Sequence, residues 1–455
     1  MSLDRRNFLT FSTVGAAAVT TPLTGGSAVA APLSLLGVDA LHLGVRAGSP
    51  DDQSRAMQNA IDQAAGARVP LVLGPGVYRV GDLRLPSGAQ IVGVRGATRL
   101  LFTQGPSLVS GHRADLAGLT GLILDGGGIA LPEGRGLVHF TQGRGVRITD
   151  CEIVGAGRQG IVLEGVEGEV TGSTVSDAAS RAIFARDSRG LVIARNTIRA
   201  AGNNAIQVWR QEAGDDGTLI VDNRIEGVLA RAGGSGQNGN GINVFRAANV
   251  VVQGNRIRGC AFSAVRGNAA SNLQVIANNC TGSGEVALYA EFGFEGALIA
   301  NNVVDGAAIG VAVTNFKQGG RLAVVQGNVI RNLLPKRPAG TDPGNGAGIG
   351  IGVEADSTVS GNVIENAPTA GISVGFGQYL RDVAVTGNVV RTAAVGIAVS
   401  VTTGAGTAVI ADNLITGTQR GAIVGMERQK QVTGDLAAEG ATRYAHLAIS
   451  GNRVR

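Results

Sequence analysis

Apolar residues return along this chain in a short fixed phrase. An asparagine stands at its centre, an apolar residue lies three positions before it and a β-branched residue two after, as in Val252-Gln253-Gly254-Asn255-Arg256-Ile257. The asparagines are Asn196, Asn223, Asn255, Asn279, Asn302, Asn328, Asn362, Asn388, Asn413 and Asn452. The regular intervals, such as 24 from Asn255 to Asn279, 23 from there to Asn302 and 26 on to Asn328, describe one small unit that must stack on its neighbours to bury a core.

Each repeat divides into three short strands. One ends just before the asparagine, a second holds the β-branched residue after it, and a third reads Gly-Ile-x-Val or close to it, as in Gly160-Ile161-Val162-Leu163, Gly241-Ile242-Asn243-Val244 and Gly371-Ile372-Ser373-Val374. Three strands in a turn of this length predict a parallel β-helix that rises ~4.8 Å per turn. The asparagines are expected at tight left-handed corners, with their amides hydrogen-bonded along a column. No Leu-x-x-Leu-x-Leu phrase recurs, and propeller blades need a longer period of about 40 residues. Before the repeats, Ser49-Pro50-Asp51-Asp52 reads as a helix start, and Met57, Ala60, Ile61 and Ala64 form a stripe that stops at Gly66. That helix is expected to cap the open end of the solenoid. Strand-like runs follow at 69–73, 78–85 and 90–94.

Gly44 to Leu100, with Asp51-Asp52, Pro75-Gly76-Val77-Tyr78 and Leu85-Pro86-Ser87-Gly88, resembles the N-terminal part of the pectate-lyase-like right-handed parallel β-helix superfamily. Asp4-Arg5-Arg6-Asn7-Phe8-Leu9, a weakly apolar stretch to Thr20 and the A-x-A site Ala28-Val29-Ala30 resemble a twin-arginine export signal. Signal and repeat together resemble a family of twin-arginine-translocated repetitive proteins of unassigned function. The expected organisation is a signal at 1–30 and one all-β domain at 31–455, with a cap region at about 39–100 and asparagine repeats at about 145–455. The resemblance implies a fold but no single activity, because the superfamily includes lyases, hydrolases, epimerases and non-catalytic adhesins.

Composition adds limits. No stretch after the signal is long and apolar enough to span a bilayer, so a periplasmic or secreted protein is expected, delivered by the twin-arginine machinery. Loss of Asp4, Arg5 and Arg6 lowers the formal charge from +5 to +4, mild basicity that suits an acidic polymer and gives no sign of nucleic-acid binding. Cys151, Cys260 and Cys280 lack metal-ligand spacing and are read as structural thiols, Cys151 standing at the asparagine position of its turn. No acidic cluster has calcium-ligand spacing, and the residues call for no cofactor.

Alternation in the third strand separates inward from outward positions. Outward pairs run Val162/Glu164, Phe184/Arg186, Gln207/Trp209, Asn243/Phe245, Arg266/Asn268, Tyr289/Glu291 and Ala312/Thr314, and become small further on. Two long insertions, Val228 to Asn240 and Leu333 to Gly348, fall between second and third strands and are expected to wall a groove along this face. Trp209, Phe245 and Tyr289 would offer faces to sugar rings, and Arg266, with Arg186 or Lys317, would hold carboxylates; Gln207, Asn243 and Asn268 complete the candidate binding set.

For catalysis, a uronan lyase or epimerase must neutralise a carboxylate and move the C5 proton. Arg266 is the candidate neutraliser or base, Tyr289 a proton donor or acceptor, and Glu291 a second acid–base group. Arginine is a poor base. A hydrolase needs two carboxylates across the bond, and Glu164 lies five turns from Glu291, about 24 Å at ~4.8 Å per turn. Asp215-Asp216 resembles the polygalacturonase pair, but no Gly-His-Gly follows, so a loop role is preferred. His139 is read as an inward core histidine, and His42, His112 and His446 have no evident partners. Two functions stay open: cleavage or epimerisation of an acidic polysaccharide, lyase or epimerase ahead of hydrolase, or non-catalytic binding of an envelope glycan or protein.

Overall fold

The computed structural model describes residues 37–455; the proposed export signal at 1–30 lies outside them. Among the described residues, 16 strands from Val38–Asp39 to Leu447–Ser450 pair in chain order down one face of a parallel β-solenoid. In a typical turn the chain runs through Glu167–Thr171, Thr174–Ser176 and Arg181–Arg186, and each strand pairs in parallel with its counterpart one turn later. One apolar cluster runs from Ala40 to Leu447. Its columns are the residues three before and two after each ladder asparagine, such as Ile193 and Ile198, Ile220 and Ile225, and Val252 and Ile257, all buried.

The corner between the first and second strands sets this register. A residue in the left-handed region precedes each ladder asparagine: Arg195 (φ 56°), Asp222 (φ 57°), Gly254 (φ 68°) and Asn301 (φ 58°) are examples. The left-handed turn aims the next side chain into the interior, so the ladder asparagine follows the corner residue and does not occupy it. This corrects the expectation that asparagine itself takes the strained conformation.

It also corrects one member of the ladder. Ala277 holds the left-handed position (φ 56°), and Asn278 is buried in the column while Asn279 is exposed. With Asn278 at the centre, the flanking inward residues are Val275 and Cys280, both buried. Cys280 stands where other turns have a β-branched residue, and that substitution hides the register in the sequence.

Each amide is fully used. Asn302 Nδ2 donates to the Val275 carbonyl of the preceding turn (2.9 Å) and to Asn328 Oδ1 of the next (2.9 Å). Its own Oδ1 accepts the Asn278 backbone N–H (2.9 Å) and Asn278 Nδ2 (3.0 Å). The column extends upward through other side chains: Ser173 N–H donates to Asn196 Oδ1 (3.0 Å), and Cys151 N–H to Ser173 Oγ (3.1 Å). Cys151, Cys260 and Cys280 are unpaired thiols, all buried. Burial pushes the Cys151 thiol up to about 11 and the Cys260 thiol up to about 12.

The helix spans Ser54–Gly66, so it starts beyond the Ser49-Pro50 signal. Asp52 Oδ1 accepts the Ser54 N–H (2.9 Å), whereas Gln53 is tied back to the backbone of Arg46 through both its amide atoms (2.8 Å each). Those bonds hold 49–53 as a turn. Met57, Ala60, Ile61 and Ala64 pack into the apolar cluster with the first strands.

Replacing Asn302 by alanine orphans buried groups on both adjacent turns, each at roughly 1–3 kcal/mol. Thermal unfolding of Asn302→Ala should fall by several degrees, while Asn279→Ala, on the surface, should melt like the parent. Equal effects would contradict the corrected register.

Candidate functional site

Strand pairing aligns the outward residues of the third strands into two columns. Phe184 faces Gln207, then Asn243, Arg266, Tyr289 and Ala312 on successive turns. Beside it run Glu164, Arg186, Trp209, Phe245, Asn268 and Glu291. Arg266, Tyr289 and Glu291 are therefore neighbours, but they lie under cover. Arg266 is 6% exposed and Glu291 1% exposed.

The cover is the two insertions, which fold over the face instead of standing beside it as walls. In the 228–240 insertion, the Gly236 carbonyl accepts from Asn243 Nδ2 (2.7 Å) and Asn240 Nδ2 (3.2 Å), and the Gln237 carbonyl from Asn204 Nδ2 (2.6 Å). The 333–348 insertion sends in Arg337. Its Nη1 donates to Glu285 Oε1 (2.8 Å), and its Nε donates to the Gly346 carbonyl (2.6 Å).

Below Arg337 the charges close on themselves. Arg266 Nε and Nη2 donate to the two oxygens of Glu291 (2.7 and 2.9 Å), and Nη1 donates to Glu285 Oε2 (3.1 Å). Asn268 Nδ2 donates to Glu291 Oε1 (2.9 Å), and the Arg266 guanidinium lies 4.8 Å from the Tyr289 ring centroid. Two arginines and two glutamates thus balance in a water-poor site, with every carboxylate bonded. Burial works against the Arg266 charge, but Glu291 and Glu285 outweigh it and raise the group above its usual range. Burial likewise pushes Tyr289 up to about 12 and raises Glu285. With Arg266 holding two carboxylates of its own chain, no donor pair is left for a substrate carboxylate in this arrangement.

Other candidates divide in the same way. Gln207 is buried and accepts from Arg181 and Asn204, and Asn243 anchors the first insertion. Arg186 stands three turns from Arg266 and pairs with Glu164 (2.8 Å), so those two arginines cannot hold one carboxylate. Lys317 is exposed, on a short helical turn at Phe316–Gln318. Trp209 and Phe245 are half-buried and in contact, with ring centroids 4.8 Å apart. Phe184 meets the edge of Trp209 at 6.4 Å, and the exposed Arg246 lies 4.9 Å over Phe245. Asp215 bonds Asn249 at the surface (2.6 Å), while Asp216 is buried against Thr218 and raised by that burial.

Glu285 and Arg337 escaped the sequence reading. Their signals were a lone acid between Gly284 and Val286, and a single arginine inside an insertion already recognised as unusual. His139 requires a correction. Its strand partners are Ser110 and Val162, which places it on the outward face, not in the core. It lines a groove of about 480 Å³ between the helix and the first turns, with Asp62, Asp82, Arg84, His112 and Arg135. Its Nδ1 is buried without a partner, and Nε2 lies 3.9 Å from Glu164. His112 has a partner after all, with Nδ1 2.8 Å from Thr141 Oγ1.

Parallel turns stacked on a continuous apolar core, with an asparagine ladder from Asn196 onward, are the decisive observation, and a family model described as right handed beta helix region matches residues 204–379. The fold is a right-handed parallel β-helix. Within this β-helix, residues 125–238 also match a model described as periplasmic copper-binding protein (NosD). No curated protein matches the sequence. Among solved structures, the pre-mature gene product 12 of bacteriophage phi29 is similar at 17% identity and TM-score 0.55, over 87% of this chain and 56% of that one. This β-helix thus spans little more than half of that phage protein. A GH87 α-1,3-glucanase catalytic unit from Streptomyces thermodiastaticus aligns at 14% identity and TM-score 0.49, covering 94% and 69% of the two chains. The surface adhesin PfbA of Streptococcus pneumoniae aligns at 15% and 0.48, covering 87% and 94%. At these identities the likeness extends to the fold alone.

A copper centre does not fit the residues present. Over 125–238 the soft donors are His139 and Cys151, and among the described residues no three His, Cys, Asp or Glu side chains converge. No helix among them is long and apolar enough to cross a membrane.

Two measurements probe this geometry. Arg337→Ala leaves Glu285 short of a partner and unpins its loop; a loss of ~3–5 kcal/mol is expected for a broken buried pair, read as faster proteolysis within 333–348. His139 is held down to about 4 by burial and by Arg135, so the folded state stays neutral where the unfolded state protonates. Stability should therefore rise with pH from about 4 to 6.5, and His139→Gln should flatten that part of the melting-temperature profile.

Proposed function

We propose that this β-helix is an exported protein of the periplasm or cell exterior that binds an acidic polysaccharide along the outward face of its third strands. The observation that carries the reading is the Trp209–Phe245 pair: two aromatic faces on adjacent turns, half-open, with Arg186 and Arg246 at their margins. Aromatic faces take the apolar side of sugar rings, and flanking guanidinium groups suit carboxylates or sulfates. Stacked turns at ~4.8 Å offer such groups at a spacing that a linear polymer can follow.

Binding is supported better than cleavage. Arg266, Tyr289 and Glu291 converge as a lyase or epimerase would need, but their polar groups are consumed by each other, by Glu285 and by the overlying insertions. Half-buried aromatic groups and more exposed arginines lie one to three turns from that closed cluster, Phe245 and Arg246 nearest, then Trp209 and Arg186. The covered proteins in similar folds, a phage protein, a glucanase and an adhesin, are compatible with a surface role but do not choose a ligand.

Trp209 is the one tryptophan of the chain, so its emission reports the site directly. Titration of residues 31–455 with pectate, alginate and heparin should change that emission for at least one polymer, with affinity falling as salt rises. Trp209→Ala should weaken binding at least tenfold, and no unsaturated product should appear. Release of such products, abolished in Arg266→Ala, would replace this reading with the lyase one; unchanged binding in Trp209→Ala would remove the aromatic platform from it.

A further inference from the structure

The second strands carry an outward column that changes character along the solenoid. On successive turns it reads Glu152, Thr174, Thr197, Arg224, Arg256 and Asn279, all polar. The same column continues as Val303, Val329, Val363, Val389 and Leu414. Val329 is 40% exposed, Val363 41% and Leu414 39%, with Val303 and Val389 half-buried. Five apolar side chains therefore form a stripe about 19 Å long on an otherwise polar strand face, at ~4.8 Å per turn. The solenoid needs none of them for its core, since Val304, Ile330, Ile364, Val390 and Ile415 already fill the inward positions of the same strands.

Two residues further along each strand runs a charged column: Asp305, Arg331, Glu365 and Arg391. Its signs alternate. Arg331 pairs with Asp305 (2.9 Å) and Arg391 with Glu365 (3.5 Å) at the surface. Beside both columns, on the same turns, lies a shallow hollow of about 500 Å³ lined by residues such as Leu333, Pro335, Pro368 and Ala394. Apolar stripe, charge rail and hollow form one face over the C-terminal turns.

We infer that this face binds a second copy of the chain, with the two solenoids antiparallel about a two-fold axis that runs along the strands between the Arg331 and Glu365 turns. A rotation about that axis keeps each column opposite its own kind and reverses the order of turns. Val329 then meets Val363 of the other copy, and Val303 meets Val389. In the charged column Arg331 meets Glu365 and Asp305 meets Arg391, so every facing pair is opposite in sign. The other two-fold arrangement that packs this face, with parallel solenoids, sets the apolar column against the charged column when its axis lies between them, and leaves the charged column without its complement when its axis lies over the valines. Self-complementarity under a two-fold is what an isologous dimer requires; it covers four of the five apolar side chains of the stripe, with Leu414 opposite Asn279 at the edge of the contact.

The test is independent of glycan binding. Residues 31–455 should show a concentration-dependent dimer by sedimentation equilibrium. Val363→Asp should shift it to monomer by more than tenfold in dissociation constant without lowering the melting temperature, since the side chain lies on the surface. Arg331→Glu should weaken the dimer, and adding Glu365→Arg should restore it, because those two positions face each other between copies. The native thiols are buried, so a short bismaleimide reads orientation: a mixture of Val303→Cys and Val389→Cys chains should crosslink several-fold more than either alone, because like positions stand three turns, about 14 Å, apart between copies. A chain that stays monomeric to millimolar concentration overturns the proposal. Crosslinking of each variant mainly with itself overturns the antiparallel register.

Discussion

At the ladder corner of each turn a polar side chain is driven into the interior, and the structure depends on how that side chain and the backbone groups around it are satisfied. A left-handed residue swings the following asparagine inward, and its amide then ties three turns together, as Asn302 ties its own turn to the preceding turn of Val275 and Asn278 and to the following turn of Asn328. Because both donors and both acceptor sites are filled, a lateral slip by one residue would break bonds in two directions along the column. The ladder thereby locks the register of every strand pair that follows from it. That lock aligns Ile on Ile inside and fixes which outward residues become neighbours.

With register fixed, the outward columns are determined by sequence position alone, and their chemistry separates into three regions. Near the helix lies a groove with the neutral, buried His139. In the middle, an aromatic pair stands open beside a charge cluster that has been closed by loops. Over the last turns the second strands turn apolar. Surface function on such a scaffold is modular: a side chain change on one turn alters one rung and leaves the ladder intact.

The charge cluster shows why convergence of suitable residues is weak evidence for catalysis. Arg266, Tyr289 and Glu291 have the identities a uronan lyase would use and sit on adjacent turns. Their geometry is nonetheless that of a buried, electrically balanced network, in which Glu285 and Arg337 supply the remaining partners. In a low-dielectric site the most stable state of such groups is mutual pairing. An open cleft keeps at least one of them solvated and waiting; here the insertions exclude that.

What the amino-acid order determined by itself was everything periodic: the repeat, the parallel stacking, the inward columns and the pairing of Phe184 with Gln207 or Arg266 with Tyr289. These follow from local spacing, since one turn after another imposes the same inside and outside. A slip within the ladder, Asn279 for Asn278, arose where Cys280 replaced the β-branched residue and two asparagines stood together. Tertiary structure alone decided what the non-repeating segments do. Whether Val228–Asn240 and Leu333–Gly348 wall a groove or cover it depends on contacts made across long separations, 52 residues for Arg337 with Glu285 and 33 for Asn204 with Gln237. His139 changed sides for a related reason: alternation names two faces, and only its pairing with Ser110 and Val162 says which one it occupies.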